Sequence, residues 1–225
     1  MKKLIFLFVF LLVALGQAQE DVKTKNLDYF TEVKVFDKIK VTLVKSDKHK
    51  VIVTGYKRYD VEIIQEGLIL KIRMSLDNLW DKSNTEVLVH YEELRKIDAN
   101  EGSTVEVKDV LNRNKLDLRA QEGAVIQAKT ETETLFIKAV TGGEVHLEGI
   151  SKEQEIVINS GGKYFGSELE TERTQVKISA GGVAEVNAKD YIKAKTNAGG
   201  TIRIYGDPKQ KDTKKFLGGK IVEVN

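Results

Sequence analysis

The chain has 225 residues with 36 Lys+Arg against 34 Asp+Glu, and Lys2 and Lys3 account for the whole excess. So balanced a charge gives no electrostatic case for nucleic acid or an anionic membrane surface as a partner. With no cysteine there is neither a disulfide framework nor a lipid-attachment thiol, and the single proline, Pro208, leaves strand-forming stretches uninterrupted.

Residues 1–18 read as a signal peptide. Lys2-Lys3 form a positive n-region, Leu4 to Leu15 an apolar core, and Gly16-Gln17-Ala18 a small-x-small cleavage site. The apolar run is short for a membrane span and polar sequence follows at once. The expectation is an exported chain with no membrane span in its mature form, bound for the periplasm, the outer surface or the medium. Residues 19–28 read as a flexible polar leader, and 29–225 as a single solenoid domain with irregular coils over 29–96.

Within those coils the strand signals are Val33-Lys34-Val35, Ile39 to Leu43, Val51-Ile52-Val53, Leu68 to Ile72 and Val87 to His90, with no helix of any length. The segment 75–86 is a longer connection and holds the sole tryptophan, Trp80. Beside Asp77, Asn78 and Asp81, an exposed Trp80 could stack on a sugar ring whose hydroxyls the polar residues bind. These four are the candidate ligand-binding residues. The competing reading is that Leu76, Leu79 and Trp80 cover the flank of the fold.

From Ile97 onward one pattern recurs. Small-residue pairs stand at Gly102-Ser103, Gly123-Ala124, Gly142-Gly143, Gly161-Gly162, Gly181-Gly182, Gly199-Gly200 and Gly218-Gly219, their first glycines 21, 19, 19, 20, 18 and 19 residues apart. So regular a period marks a repeat architecture. Five residues before the first glycine stand Ile97, Leu118, Ile137, Ile156, Val176 and Ala194; three and five after it stand apolar pairs such as Val145/Leu147. Apolar and polar residues alternate on both flanks, as strands with one buried face require. The glycine pairs are expected to supply positive φ at the turns.

Two stackings fit this pattern. In a β-solenoid with coils of about 18–21 residues, like positions lie above one another about 4.8 Å apart in parallel strands. In an antiparallel β-meander or sandwich the same glycine pairs would be hairpin turns. Asn100, Gln121, Val140, Asn159, Ser179 and Asn197, two residues before the glycines, favour the solenoid, because all but Val140 are amides or a hydroxyl that could bond from coil to coil.

Chemistry is weakly signalled. His49, His90 and His146 lack ligand spacing, so no metal site is expected, and no cofactor motif is present. No pair of carboxylates is marked out for catalysis. Residues 206–216 carry Lys209, Lys211, Lys214 and Lys215. They suit a solvated loop blunting the terminal sheet edge, or a basic patch toward an acidic polysaccharide. Arg119, Lys138, Lys177 and Lys195, four residues before the glycines, form an outward basic row that neighbouring Glu rows are expected to neutralise.

Four stretches, spread over nearly the whole mature chain, resemble a known family. Phe30-x-x-Val33-x-Val35-Phe36-Asp37-x-Ile39-x-Val41-x-Leu43 opens the match, with Val51-x-Val53-x-Gly55 following. It continues through Leu94-x-x-Ile97-x-Ala99-x-Glu101-Gly102 to Gly200-x-Ile202-x-Ile204-Tyr205-Gly206-Asp207-Pro208. Together they resemble the bacterial head GIN-domain family, labelled as auto-transporter adhesins. The resemblance implies a right-handed β-helix, secretion from a Gram-negative-type cell, and no known catalytic residues. The chain departs from the family's glycine-serine-rich repeats at Glu101-Gly102-Ser103 and Glu122-Gly123-Ala124. The expected function is a secreted, adhesin-like binding or structural module of the cell envelope, without catalysis. Its expected partner is a surface or environmental polysaccharide or an envelope protein. A polysaccharide-active β-helix enzyme is the alternative.

Overall fold

The computed structural model describes residues 22–75 and 85–224. The proposed signal peptide and the candidate residues Asp77, Asn78, Trp80 and Asp81 lie outside them. The described chain is nearly all β, with one short 3-10 turn at Arg58–Asp60.

Five long strands carry the repeat: β9 (Thr104–Gln121), β10 (Val125–Val140), β11 (Glu144–Asn159), β12 (Lys163–Ser179) and β13 (Val183–Asn197). Each lies parallel on the one before it. Leu135–Val140 pairs with Gln154–Asn159 and not with Glu144–Glu148, so the glycine turns join coils of a β-solenoid and the meander is excluded. Each long strand also spans two faces. Thr104–Val107 of β9 lies on β3 (Lys40–Lys45), whereas Asp117–Ala120 lies on β8 (Lys96–Ala99). Register shifts between Gln127 and Lys129, and between His146 and Glu148, fall between the two halves, where bulges let a strand bend.

The turns take positive φ at their first glycines as expected, and at the second glycine too in Gly182 (122°) and Gly200 (94°). The paired positive φ angles belong to the residue before the first glycine and to that glycine, as at Thr141 (49°) and Gly142 (74°). Gly143 serves another need. A Cβ there would lie 2.1 Å from the Ala120 carbonyl oxygen of the adjacent coil. Glu101-Gly102 and Glu122-Gly123 adopt the same left-handed pair, so the departures at Ser103 and Ala124 leave the turn unchanged. Both residues are buried there. The expected amide ladder closes at a single rung, where Gln121 Nε2 donates to Asn100 Oδ1 at 3.0 Å. Further on, backbone groups of the turns bond from coil to coil instead, as from Gly142 N to Ser160 O at 3.2 Å and Gly181 N to Ala198 O at 3.2 Å.

Alternation fills the interior as expected. Ile137, Val145 and Leu147 are buried while Lys138 is exposed. One part of the core is polar. Tyr164 Oη donates to Gln154 Oε1 at 2.8 Å, Gln154 Nε2 donates to Thr174 Oγ1 at 2.9 Å, and Thr171 donates to the Asn187 carbonyl at 2.7 Å. Every member has a partner, which is what makes such a network tolerable inside a core.

The N-terminal region departs from a simple run of coils. β2 (Glu32–Val35) and β3 stack on β8 and β9, while β6 (Ile69–Met74) and β7 (Glu86–Tyr91) stack on the opposite side of β2 and β3. The second coil in the chain is thus the outer one in the stack. Three antiparallel strands finish that end: β4 (Lys50–Thr54) on β7, β1 (Lys23–Asn26) on β4, and β5 (Val61–Glu66) on β6. Residues 23–26, expected in a flexible leader, are therefore a strand. Lys23 and Lys25 reach across and donate to the carbonyls of Val61 (2.7 Å) and Ile63 (2.6 Å), tying β1 to β5.

At the other end, β14 (Thr201–Tyr205) and β15 (Gln210–Phe216) lie on β13, and β16 (Lys220–Glu223) lies on β14. The basic stretch 206–216, expected as a loop, is thus largely a terminal strand.

Candidate functional site

In-register strands convert a sequence period into rows of side chains along the stack. A residue on one rung lies opposite the residue about 19 positions later, and outward residues two apart belong to neighbouring rows on one face. Three outward regions carry functional groups.

The first is a groove of about 520 Å³ at the bend of β9 to β12, lined by Asn112, Glu131, Glu133, Ile150, Lys152, Glu170 and Lys189 among others. Its charges are already matched from rung to rung. Lys152 holds Glu133 at 2.6 Å, Lys189 bonds Glu170, and Asn112 Nδ2 donates to Glu131 at 3.3 Å. The Lys152 hydrogen bond, then its charge, lowers the Glu133 pKa. A catalytic carboxylic acid at neutral pH needs the opposite, a raised pKa. The groove is therefore built as an ion-pair ladder.

The second region is aromatic. His146 stacks on Phe165 on the adjacent rung, ring centroids 4.6 Å apart, with Gln127, Glu148, Ser167 and Glu168 around them. Phe136 is 40 % exposed on another face, in a hollow with Asp117, Arg119 and Val157. Tyr56 and Tyr59 are exposed near the antiparallel cap. Sequence reasoning gave none of these aromatics a role; the available signal was an aromatic ring at an outward position of the alternation. Of the other histidines, His90 has its pKa lowered by burial and then by Lys50, while His49 packs edge-on against Tyr29 and Phe30. Among the described residues no three His, Asp or Glu side chains are grouped to hold a metal ion.

The third region is the basic row. Arg119, Lys138, Val157, Lys177, Lys195 and Lys214 are successive Cα partners from β9 to β15. The expected neutralisation is confined to Arg119, which Asp117 binds at 2.8 Å. Among the described residues, Lys138, Lys177, Lys195 and Lys214 form no ion pair. The Glu residues that pair with lysines stand on other rows and find partners there. Lys209 and Lys211 of the basic stretch are paired, with Asp190 at 2.6 Å and with Glu223 at 2.8 Å.

Comparison with solved structures gives the same architecture at low sequence identity. A putative adhesin from Bacteroides fragilis NCTC 9343 superposes with a TM-score of 0.83 at 15 % identity, covering 92 % of this chain and 98 % of that one. A putative adhesin from Parabacteroides distasonis ATCC 8503 gives 0.71 at 23 % identity over 91 % and 96 % of the two chains. A putative lipid binding protein from the same strain gives 0.68 at 13 % identity over 92 % and 98 %. Comparison with curated proteins gives no match. Residues 29–208 match the family described as "Putative auto-transporter adhesin, head GIN domain". The chain therefore belongs to the head GIN-domain family.

Proposed function

We propose that this chain is an exported, adhesin-like binding module of the cell envelope that holds polysaccharide on its side-chain rows and carries out no chemistry. The carrying observation is that in the groove of about 520 Å³ Glu133 and Glu170 are paired with lysines, and Glu131 with an amide, on neighbouring rungs. Beside it the regular strands present an outward aromatic ring, Phe136, and a row of lysines without ion pairs, groups suited to holding an extended ligand. Family membership supports the adhesin-like part of this reading. The signal-peptide pattern of residues 1–18 supports export.

A glycan array probed with the chain from residue 19 onward tests it. Retention of a small set of related glycans is expected; retention of none overturns the reading. Trp80, with Asp77, Asn78 and Asp81, remains the proposed contact for neutral sugars. Trp80→Ala should abolish retention of neutral glycans and leave the thermal melt nearly unchanged, whereas a large fall in Tm would make Trp80 a structural cover.

A further inference from the structure

Many outward charges on the coils are answered by a neighbour on the next rung. Lys163 meets Glu144 at 2.6 Å, Lys129 meets Glu148 at 2.9 Å, and Arg203 meets Glu185 at 3.0 Å. The lysines of the row Lys138, Lys177, Lys195 and Lys214 have no such partner among the described residues, and three of them stack directly on one another. Lys177 and Lys195 are direct cross-strand partners, as are Lys195 and Lys214, and like charges placed opposite each other destabilise a sheet. Arrangement and cost together point outward, to an anion that the fold itself does not supply.

The row beside it is also unspent. Asn159, Ser179 and Asn197 stand two residues beyond Val157, Lys177 and Lys195, on the same outward face. Their side chains make no coil-to-coil hydrogen bond, the turn backbones having taken that role; Asn159 only accepts a bond from the Ser160 backbone. On the other flank stand Glu155, Gln175, Lys193 and Asp212. Lys193 and the row together outnumber Glu155 and Asp212, so the face keeps an excess of positive charge.

We infer that this face is a binding site for an acidic polysaccharide laid along the solenoid axis, its uronate carboxylates on Lys177, Lys195 and Lys214 and its hydroxyls on Asn159, Ser179 and Asn197. The inference rests on the polysaccharide-binding reading above and names its ligand class and residues. Geometry favours a uronate polymer over a nucleic acid. Strand rungs repeat at about 4.8 Å, and a 1,4-linked pyranuronate chain advances by about one rung per sugar. Phosphates of one strand of duplex DNA rise about 3.4 Å each along the helix axis while winding around it, so they do not follow a straight row of rungs. Lys138, two rungs from Lys177 across Val157, extends the site.

The test uses the chain from residue 19 with two probes, a 1,4-linked oligogalacturonate and the same oligomer with its carboxyls reduced to hydroxymethyl groups. Binding of the first alone is expected, weakening as salt rises. Lys177→Glu with Lys195→Glu should weaken it about tenfold or more, the worth of one lost charge-assisted bond. Lys48→Glu, outside the row, should change little, and Lys177→Gln with Lys195→Gln should weaken binding in a fold that retains the wild-type melt. Equal binding of the reduced oligomer, binding unaffected by either double substitution, or equal competition by a single-stranded oligonucleotide would overturn the inference. Array retention of neutral glycans without oligogalacturonate binding overturns this inference and leaves the broader reading standing. Retention of nothing removes both.

Discussion

Glu101 shows how stacking can strain a single residue. It occupies the first left-handed position of its turn (φ 54°), and Asp37 of the adjacent coil approaches it. The Asp37 hydrogen bond, then burial, then the Asp37 charge, raise the Glu101 pKa; the next turn's Glu122 adds to the effect. The sign follows from linkage. A carboxyl with a raised folded pKa binds its proton more tightly in the folded state, so its ionisation disfavours folding as pH rises through and above the usual glutamate range. Glu101→Gln should therefore stabilise the fold at pH 7, with the advantage closing below about pH 4. Urea melts at both values check this, and a variant less stable at pH 7 would refute it. Tyr164 is the buried counterpart. Its hydroxyl fits because position 166 is glycine; a Cβ there would lie 2.2 Å from Tyr164 Oη. Tyr164→Phe leaves the Gln154 oxygen unpaired and should cost about 1–3 kcal/mol in a urea melt. The inward place of Tyr164 was legible from the repeat. The network was not, because its partners come from three different rungs.

At the scale of the element, the Gly142-Gly143 turn divides labour between its two glycines, whereas at Gly181-Gly182 and Gly199-Gly200 both have positive φ. Gly142 has a positive φ of 74° and open space where a Cβ would be, so Gly142→Ala should cost about 1–2 kcal/mol, the price of a left-handed alanine. Gly143 has no positive φ, but its Cβ would strike Ala120 backbone at 2.1 Å. Gly143→Ala must push two coils apart and should cost more than Gly142→Ala, about 3 kcal/mol or above. Equal losses in denaturant melts would remove this division. The glycine period was plain in the sequence, yet which glycine bends and which makes room was not. That difference depends on the adjacent coil, about 19 residues away in the chain. The same distance hid the fate of the lysine row. Its outward position followed from alternation, but whether a Glu answered it depended on bulged registers that single-sequence spacing does not carry. β1 was invisible for a simpler reason. Lys23–Asn26 has no apolar residue, and the strand exists through its backbone ladder to β4 and its lysine contacts to β5.

For the whole molecule, the two ends of the stack meet one problem in different ways. A parallel solenoid presents an open core and unpaired strand edges at each end, and both invite another copy. The N-terminal end is covered by the antiparallel strands β1, β4 and β5. The last described coil instead puts polar residues under most inward ones: Lys211 stands under Ile192, Thr213 under Ala194, Lys215 under Thr196 and Glu223 under Ile204, while Ile221 stays under Ile202. Lys211 and Glu223 then pair at 2.8 Å across this end, with Asp207 3.3 Å from the same ammonium. Phe216 and Leu217 are left 64 % and 70 % exposed at the rim. The Lys211–Glu223 pair thus stands where the apolar columns of the preceding coils would otherwise continue. Replacing Lys211 with Ile and Glu223 with Val in one chain would continue the apolar columns to the surface. The expected result is concentration-dependent association, read as a rise in mass by light scattering after size-exclusion chromatography. Lys211→Arg with Glu223→Asp, which keeps both charges, should elute like the parent chain. An apolar double variant whose mass stays that of the parent at every concentration would show that the unpaired edges, and not the core columns, govern this end.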